Sequence, residues 1–221
     1  MLEQLKALAK QLIRTAEPTD PTVFDDPLAE RTEWTPAAKG GTNIGTHALK
    51  HVNPQKIVFS ATWGARLFTG IFILVGFAVP SAAGVSYVQG GAGMDPVGLG
   101  VTILFGAVFA LAGLFARSKM CSPRTFDQRL GSFWKGRRMP AEVGSQQVTD
   151  DHVPLKEIHA VQLLKEYISS DNGGYYSYEL NLVLKDASRV NVVDHGKIAR
   201  LRRDAAEVAG LLGVSVWDAS Q

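Results

Sequence analysis

Apolar and polar positions fall into three regimes along this chain. In the middle, two apolar runs, Leu67–Val88 and Val97–Ala116, carry no charged side chain and are joined by the linker Gln89–Pro96. Each is about as long as the roughly twenty residues a helix needs to cross a hydrocarbon core. Because a backbone in lipid must satisfy its own hydrogen bonds, the two runs predict a helical hairpin. Glycines and alanines are frequent in it, Gly106 and Ala110 have the spacing that lets membrane helices approach closely, and Pro80 is expected to kink the first helix.

Before the hairpin the pattern changes twice. Residues 2–14 place Leu2, Leu5, Leu8, Leu12 and Ile13 on one side and Lys6, Lys10 and Arg14 on another, predicting a short amphipathic helix. Residues 15–41 hold Pro18, Pro21, Pro27 and Pro36, with Glu17, Asp20, Asp25, Asp26, Glu30 and Glu33. They read as an acidic tether, either solvated or folded back on a basic stretch beyond the hairpin. Phe24 and Trp34 are costly to leave in water and point to partial docking. Thr46–Val52 and Lys56–Thr62 are β-prone runs around the turn Asn53-Pro54-Gln55. A lone β-hairpin is marginal, so its partners must come from beyond the apolar runs. The predicted soluble domain is therefore discontinuous.

After the hairpin the period becomes two. Thr125–Phe126 and Ser132–Lys135 flank a turn at Asp127–Gly131, and Ala141–His152 reads as loop. Ala160–Ile168 is a strand whose inward face cannot be assigned, and Ser169–Gly174 is a turn. Tyr178, Leu180, Leu182 and Leu184 then alternate with Glu179, Asn181, Val183 and Lys185, predicting a half-buried strand, and Val190 and Val192 continue the buried face on the next one. Ile198, Leu201, Ala205, Val208 and Leu212 form the stripe of a helix over 197–212, with Gly213 as its stop and Trp217 closing over the core. Strands followed by one amphipathic helix predict an α+β domain, a curved antiparallel sheet capped by the C-terminal helix. The organisation expected is an amphipathic helix and acidic tether (1–41), a β-hairpin contributed to the soluble domain (42–62), a two-helix transmembrane hairpin (67–116) and a cytoplasmic α+β domain (117–221).

Charge adds an orientation. The net charge of the 221-residue chain is only +2, but from Arg117 to Arg138 the cations Arg117, Lys119, Arg124, Arg129, Lys135, Arg137 and Arg138 stand against Asp127 alone. Within His47–Arg66, Lys50, Lys56 and Arg66 precede the hairpin without an acid, whereas its linker carries only Asp95. The positive-inside bias then places both termini in the cytoplasm and the linker outside. With Phe126, Phe133 and Trp134 interleaved, the basic run invites a nucleic-acid reading. Its position after a membrane helix favours contact with anionic lipid headgroups instead, and those seven cations are the candidate contact residues.

The stretches DPLAERTEWTPAAKGGTNIGTHAL (26–49), FDQRLGSFWKGRR (126–138), PLKEIHAVQLL (154–164), SYELNLVLKD (177–186) and RVNVVDHG (189–196) resemble a group of uncharacterised bacterial inner-membrane proteins. Those proteins combine a two-helix membrane hairpin with a cytoplasmic pleckstrin-homology-like domain. The resemblance implies that architecture and a multi-pass inner-membrane location, and no activity.

Candidate chemistry is sparse. The single cysteine, Cys121, leaves no disulfide and no cysteine-based zinc site. His47 and His51 are too far apart on a strand to share a metal, and His152, His159 and His195 come from separate elements, so no metal or cofactor is expected. Asp194-His195-Gly196 admits two readings, a histidine base oriented by an aspartate or an aspartate capping the last helix. The expectation is a non-enzymatic membrane protein whose partners are the bilayer and either another protein or a second copy, not nucleic acid. The alternatives are a membrane-bound enzyme using Asp194 and His195, or a headgroup-binding module.

Overall fold

The computed structural model describes residues 19–38, 44–90, 95–169 and 173–221. The expected helix over 2–14 and the centre of the Ser169–Gly174 turn lie outside them. The chain divides into two compact units, one of residues 1–59 and 123–221 and one of residues 60–122.

In the first unit, β1 (His47–Asn53) and β2 (Lys56–Ala61) are joined by a tight turn in which Asn53 Oδ1 accepts from the Gln55 amide at 2.9 Å. The strands β3 (Arg124–Asp127), β4 (Ser132–Lys135) and β5 (His152–Pro154) complete a five-stranded sheet in sequence order. The key pairing is β2 with β3, antiparallel from Lys56↔Asp127 to Phe59↔Arg124. The second sheet contains β6 (Ile158–Ile168), β7 (Tyr175–Leu184), β8 (Arg189–His195) and β9 (Ser215–Ala219) in the order β8-β7-β6-β9. Between β8 and β9 runs the helix Ile198–Leu212, stopped by Gly213 in the left-handed region at φ 69°. One core joins all three layers: Ile57, Phe59, Phe126 and Phe133 from the first sheet, Val161, Leu163, Leu180 and Leu182 from the second, and Leu201, Ala205 and Val208 from the helix.

The α+β mixture is as expected, but the single antiparallel sheet is corrected to two sheets. The strand β5 begins at His152, the last residue of the segment read as loop, and the 3-10 turn Leu155–Glu157 after it redirects the chain into the second sheet. The tail is a true strand, and β9 runs parallel to β6 (Ala160↔Ser215 to Leu164↔Ala219) because the intervening helix carries the chain back.

Preceding β1, residues 19–38 form a strap. Asp20 caps the 3-10 turn Pro21–Phe24 by accepting from the Thr22 amide, and Asp26 caps the five-residue helix α1 (Pro27–Arg31) by accepting from the Leu28 amide at 2.9 Å. In each case proline follows the cap, where a missing N–H costs nothing.

The second unit is an antiparallel pair, α2 (Trp63–Val88) and α3 (Pro96–Met120); the C-terminal helix is α4. Thr62 and Asp95 cap α2 and α3 through the Ala65 and Gly98 amides. Both helices are long and apolar enough to cross a membrane, each spanning about 38 Å at the α-helical rise. They meet along small residues: a Cβ on Gly76 would lie 2.5 Å from the Ala110 nitrogen, and one on Gly106 would overlap the Pro80 ring. Only Ala65, Thr69, Gly76 and Ala83 of α2 and Gly106, Ala110 and Gly113 of α3 are buried. Leu67, Leu74, Phe77, Leu104, Leu111 and Phe115 are exposed.

Gly106→Val is expected to overpack this seam and lower hairpin stability in detergent by about 1–3 kcal/mol. Gly100→Val, where a Cβ meets nothing within 4 Å, is expected to leave it unchanged. Denaturation followed by circular dichroism compares the two.

Candidate functional site

The most densely organised polar region lies on the face of the second sheet turned away from the shared core. Its floor is built from β6, β7 and β8. Gln162, Glu179 and Asn181 are fully buried, although alternation alone assigns Glu179 and Asn181 to solvent. The strap covers them. Phe24 stacks on Trp34 at 4.9 Å and 4°, and both rings lean on Trp217 at about 6 Å. Around them Ala29, Ala160 and Val183 are buried. Trp217 therefore closes the outer face of the sheet rather than the main core. With both faces covered, β6 has apolar residues at both sets of alternate positions, which is why its pattern had no readable inward side.

Polar contacts fasten the strap at three points. His159 Nε2 donates to Asp26 Oδ2 at 2.7 Å, and this bond holds the Asp26 carboxyl below its ordinary value. Arg189 donates to the Thr35 carbonyl at 2.6 Å and to Glu33 at 3.2 Å, while Gln162 donates to the Glu33 carbonyl. Glu179 accepts from the Ala37 and Ala38 amides at 2.8 and 2.9 Å and from Asn181 Nδ2 at 3.1 Å. A buried carboxylate is very costly without partners, and charge-assisted bonds to fixed N–H groups are the strong kind. The docked acids Asp26 and Glu33 thus meet His159 and Arg189, where the sequence had offered solvent or the basic run 117–138.

A β-bulge shapes the adjoining corner. The register passes from Leu180↔Val193 to Asn181↔Asn191, leaving Val192 as the extra residue. Asn191 and Asp194 then share a face, and Asn191 Nδ2 donates to Asn181 at 3.1 Å and to Asp194 at 2.9 Å. Asp194 lies directly across from Glu179. Burial pushes its carboxyl up to about 6, the Asn191 amide opposes the rise, and the charges of Glu179 and Glu166 add to it.

Both readings of Asp194-His195 are corrected by this geometry. As consecutive strand residues they point to opposite faces, and Asp194 bonds Asn191 rather than the imidazole. His195 Nδ1 accepts from the Lys197 amide at 2.9 Å, and the buried Nε2 has no hydrogen-bond partner among the described residues. Burial and the Arg200 and Lys197 charges hold its pKa below the ordinary value. Asp194 does not cap α4 either, since Lys197 is the N-cap and has no side-chain cap bond. The remaining histidines are dispersed: His47 touches Arg124 at 2.6 Å, His51 touches Glu207 at 2.7 Å, and His152 donates to the Gln147 carbonyl at 2.7 Å. Among the described residues no cluster of three metal-ligating side chains exists. Cys121 is buried beside Thr69.

The five basic residues of the first unit do not form one surface. Arg124 donates to the Val192 carbonyl that the bulge frees, at 2.9 Å, and burial lowers its pKa against the pull of Asp194 and Asp151. Lys135, paired with Arg124 across β3–β4, is half-buried and its pKa is lowered in the same way. Arg129 sits in the β3–β4 turn, at the opposite end of β3 from Arg124. Arg137 and Arg138 are exposed just beyond Lys135, and Arg117 and Lys119 lie in the last turn of α3. The polar floor escaped sequence reasoning because its cover lies far away in the chain; the aromatic pair Phe24 and Trp34 was the available signal.

The chain matches no protein-family model, no curated protein and no solved structure.

Between 3.8 and about 6 the folded protein retains a proton on Asp194 that the unfolded chain has lost. Stability contributed at this site therefore falls as pH rises through that window. Asp194→Asn is expected to gain on the wild type above pH 6, by up to about 3 kcal/mol, and to match it at pH 3.8 or below. Urea unfolding of both proteins at the two pH values measures the difference, in which the opposing His195 contribution cancels.

Proposed function

We propose that this protein is a multi-pass inner-membrane anchor that presents a cytoplasmic, pleckstrin-homology-like interaction module to partners at the bilayer. The observation that carries the reading is the nearly continuous apolar exterior of α2 and α3. A soluble protein rarely exposes so large a contiguous apolar patch, whereas lipid is its natural solvent. Arg66, Arg117 and Lys119 flank one end of the hairpin and Asp95 the other, which favours the basic end, and with it both termini, on the cytoplasmic side. Two sheets and a helix around one core support a pleckstrin-homology-like arrangement at the level of architecture only.

In this reading Arg117, Lys119, Arg137 and Arg138 face anionic headgroups, with Lys135 behind them. Arg124 is committed to the fold, and Arg129 lies at the wrong end of β3. An interaction role is preferred over an enzymatic one because Asp194 and His195 point apart and the most polar face is occupied by the protein's own strap. Protein partners or self-association would use surfaces the strap leaves open.

A C-terminal fluorescent-protein fusion and a C-terminal alkaline phosphatase fusion, each expressed in bacteria and extracted with carbonate, test the proposal. The expected result is a carbonate-resistant product that fluoresces and has no phosphatase activity. Release by carbonate, or an active phosphatase, would overturn it.

A further inference from the structure

The second sheet carries a feature that neither the membrane hairpin nor the strap uses. We infer that the paired ends of β6 and β7, built on Tyr167, Tyr176 and Lys165, are a second contact with the lipid headgroup layer. This inference rests on the membrane reading above.

Its basis is where the tip stands in the first unit. The chain leaves that unit after Phe59 and returns at Pro123, so the paired residues Phe59 and Arg124 mark the exit end of the first sheet. His47, at the start of β1, touches Arg124, and Arg124 in turn donates to Val192 of β8. A Cβ on Gly45 would lie 2.5 Å from His195 Nε2, which places the end of β8 and the start of α4 at the exit end too. The opposite end is fixed independently. Gln128, in the β3–β4 turn, donates to the Leu211 carbonyl near the C-terminus of α4, and His51 bonds Glu207. On β7, Tyr178 pairs with His195, and the strand continues through Tyr176 to Tyr175. The hairpin therefore overhangs the exit end by about 10 Å at the usual strand rise.

The overhang has the chemistry of a membrane interface. Tyr167 and Tyr176 pair across the strands and remain 36% and 46% exposed. Their rings lie 5.2 Å apart, and Lys165 Nζ stands 4.6 Å from the Tyr176 ring. Tyrosine has an apolar body and a polar tip, which suits the headgroup level, and lysine adds attraction to anionic lipid. The arrangement is preorganised: a Cβ on Gly174 would overlap the Tyr167 ring, so glycine lets that ring lie flat on the backbone. Short connections, Thr62 and Cys121–Pro123, join β2 to α2 and α3 to β3. Each residue of these connections spans at most about 3.6 Å. Arg137, Arg138 and Lys197 are exposed at the same end, so the aromatic tip and the basic patch would address one surface.

The test uses the full-length chain with Cys121→Ala, reconstituted in phosphatidylcholine–phosphatidylglycerol vesicles. Nitroxides are attached at Tyr176→Cys, Arg129→Cys or Phe105→Cys, one per protein, and collision with oxygen and with a water-soluble nickel chelate is measured. We expect a Phe105 label to collide mainly with oxygen, as in lipid. We expect a Tyr176 label to meet the chelate severalfold less often than an Arg129 label. If the Phe105 label is in lipid while the Tyr176 label is as open to the chelate as Arg129, the tip contact is wrong and the membrane reading survives. If the Phe105 label is itself open to the chelate, the membrane reading fails and the tip contact with it.

Discussion

The pairing of β2 with β3 is the constraint on which the rest of this molecule depends. These strands lie on either side of the entire 60–122 unit in sequence, yet they are hydrogen-bonded neighbours from Lys56↔Asp127 to Phe59↔Arg124. Adjacent strands stand about 4.8 Å apart, so the two ends of the inserted segment must leave and return side by side. An antiparallel helix pair satisfies that requirement, with Gly76, Gly106, Ala110 and Gly113 allowing the helices to approach. The same pairing aligns Phe59 with Phe126 and Phe133, the aromatic part of the shared core. Losing it would leave β1–β2 an isolated hairpin, which is not stable alone.

A second constraint operates on the outer face of the second sheet. Glu179 is buried, no cation among the described residues bonds it, and it accepts from three N–H groups, two of them from the strap. The aromatic stack of Phe24, Trp34 and Trp217 supplies apolar burial around this polar floor. Strap and sheet are therefore complementary in both respects. Without the strap, the sheet would expose Trp217 and leave Glu179 short of donors. Asp194 opposite Glu179 shows the other side of the balance: its one bonded amide does not offset burial and like charge, and the carboxyl retains its proton to about pH 6.

Much of this was legible in local pattern. The two apolar helices, the β1–β2 and β3–β4 hairpins, the alternation of β7 and the stop of α4 at Gly213 follow from periodicity and turn chemistry, which act over a few residues. The features that escaped depend on distant partners. Glu179 and Asn181 look like a solvent face until a segment some 140 residues earlier covers them. The parallel pairing of β9 depends on the path of α4, and the three residues of β5 are too few to show a period. Asp194 and His195 resemble a functional pair because adjacency in sequence hides that a strand turns them to opposite faces. The basic run looked continuous because linear charge density does not reveal that Arg124 turns inward or that Arg129 lies across the sheet from the exit.

The most direct test of the central pairing removes everything between the paired strands. Replacing residues 60–123 by Asn-Gly joins Phe59 to Arg124 through a two-residue turn of the type that closes antiparallel hairpins. If β2–β3 pairing organises the first unit independently of its insertion, the shortened protein will be water-soluble and will unfold cooperatively in urea with its tryptophans initially buried. A shortened chain that aggregates, or that shows no cooperative transition, would contradict the account.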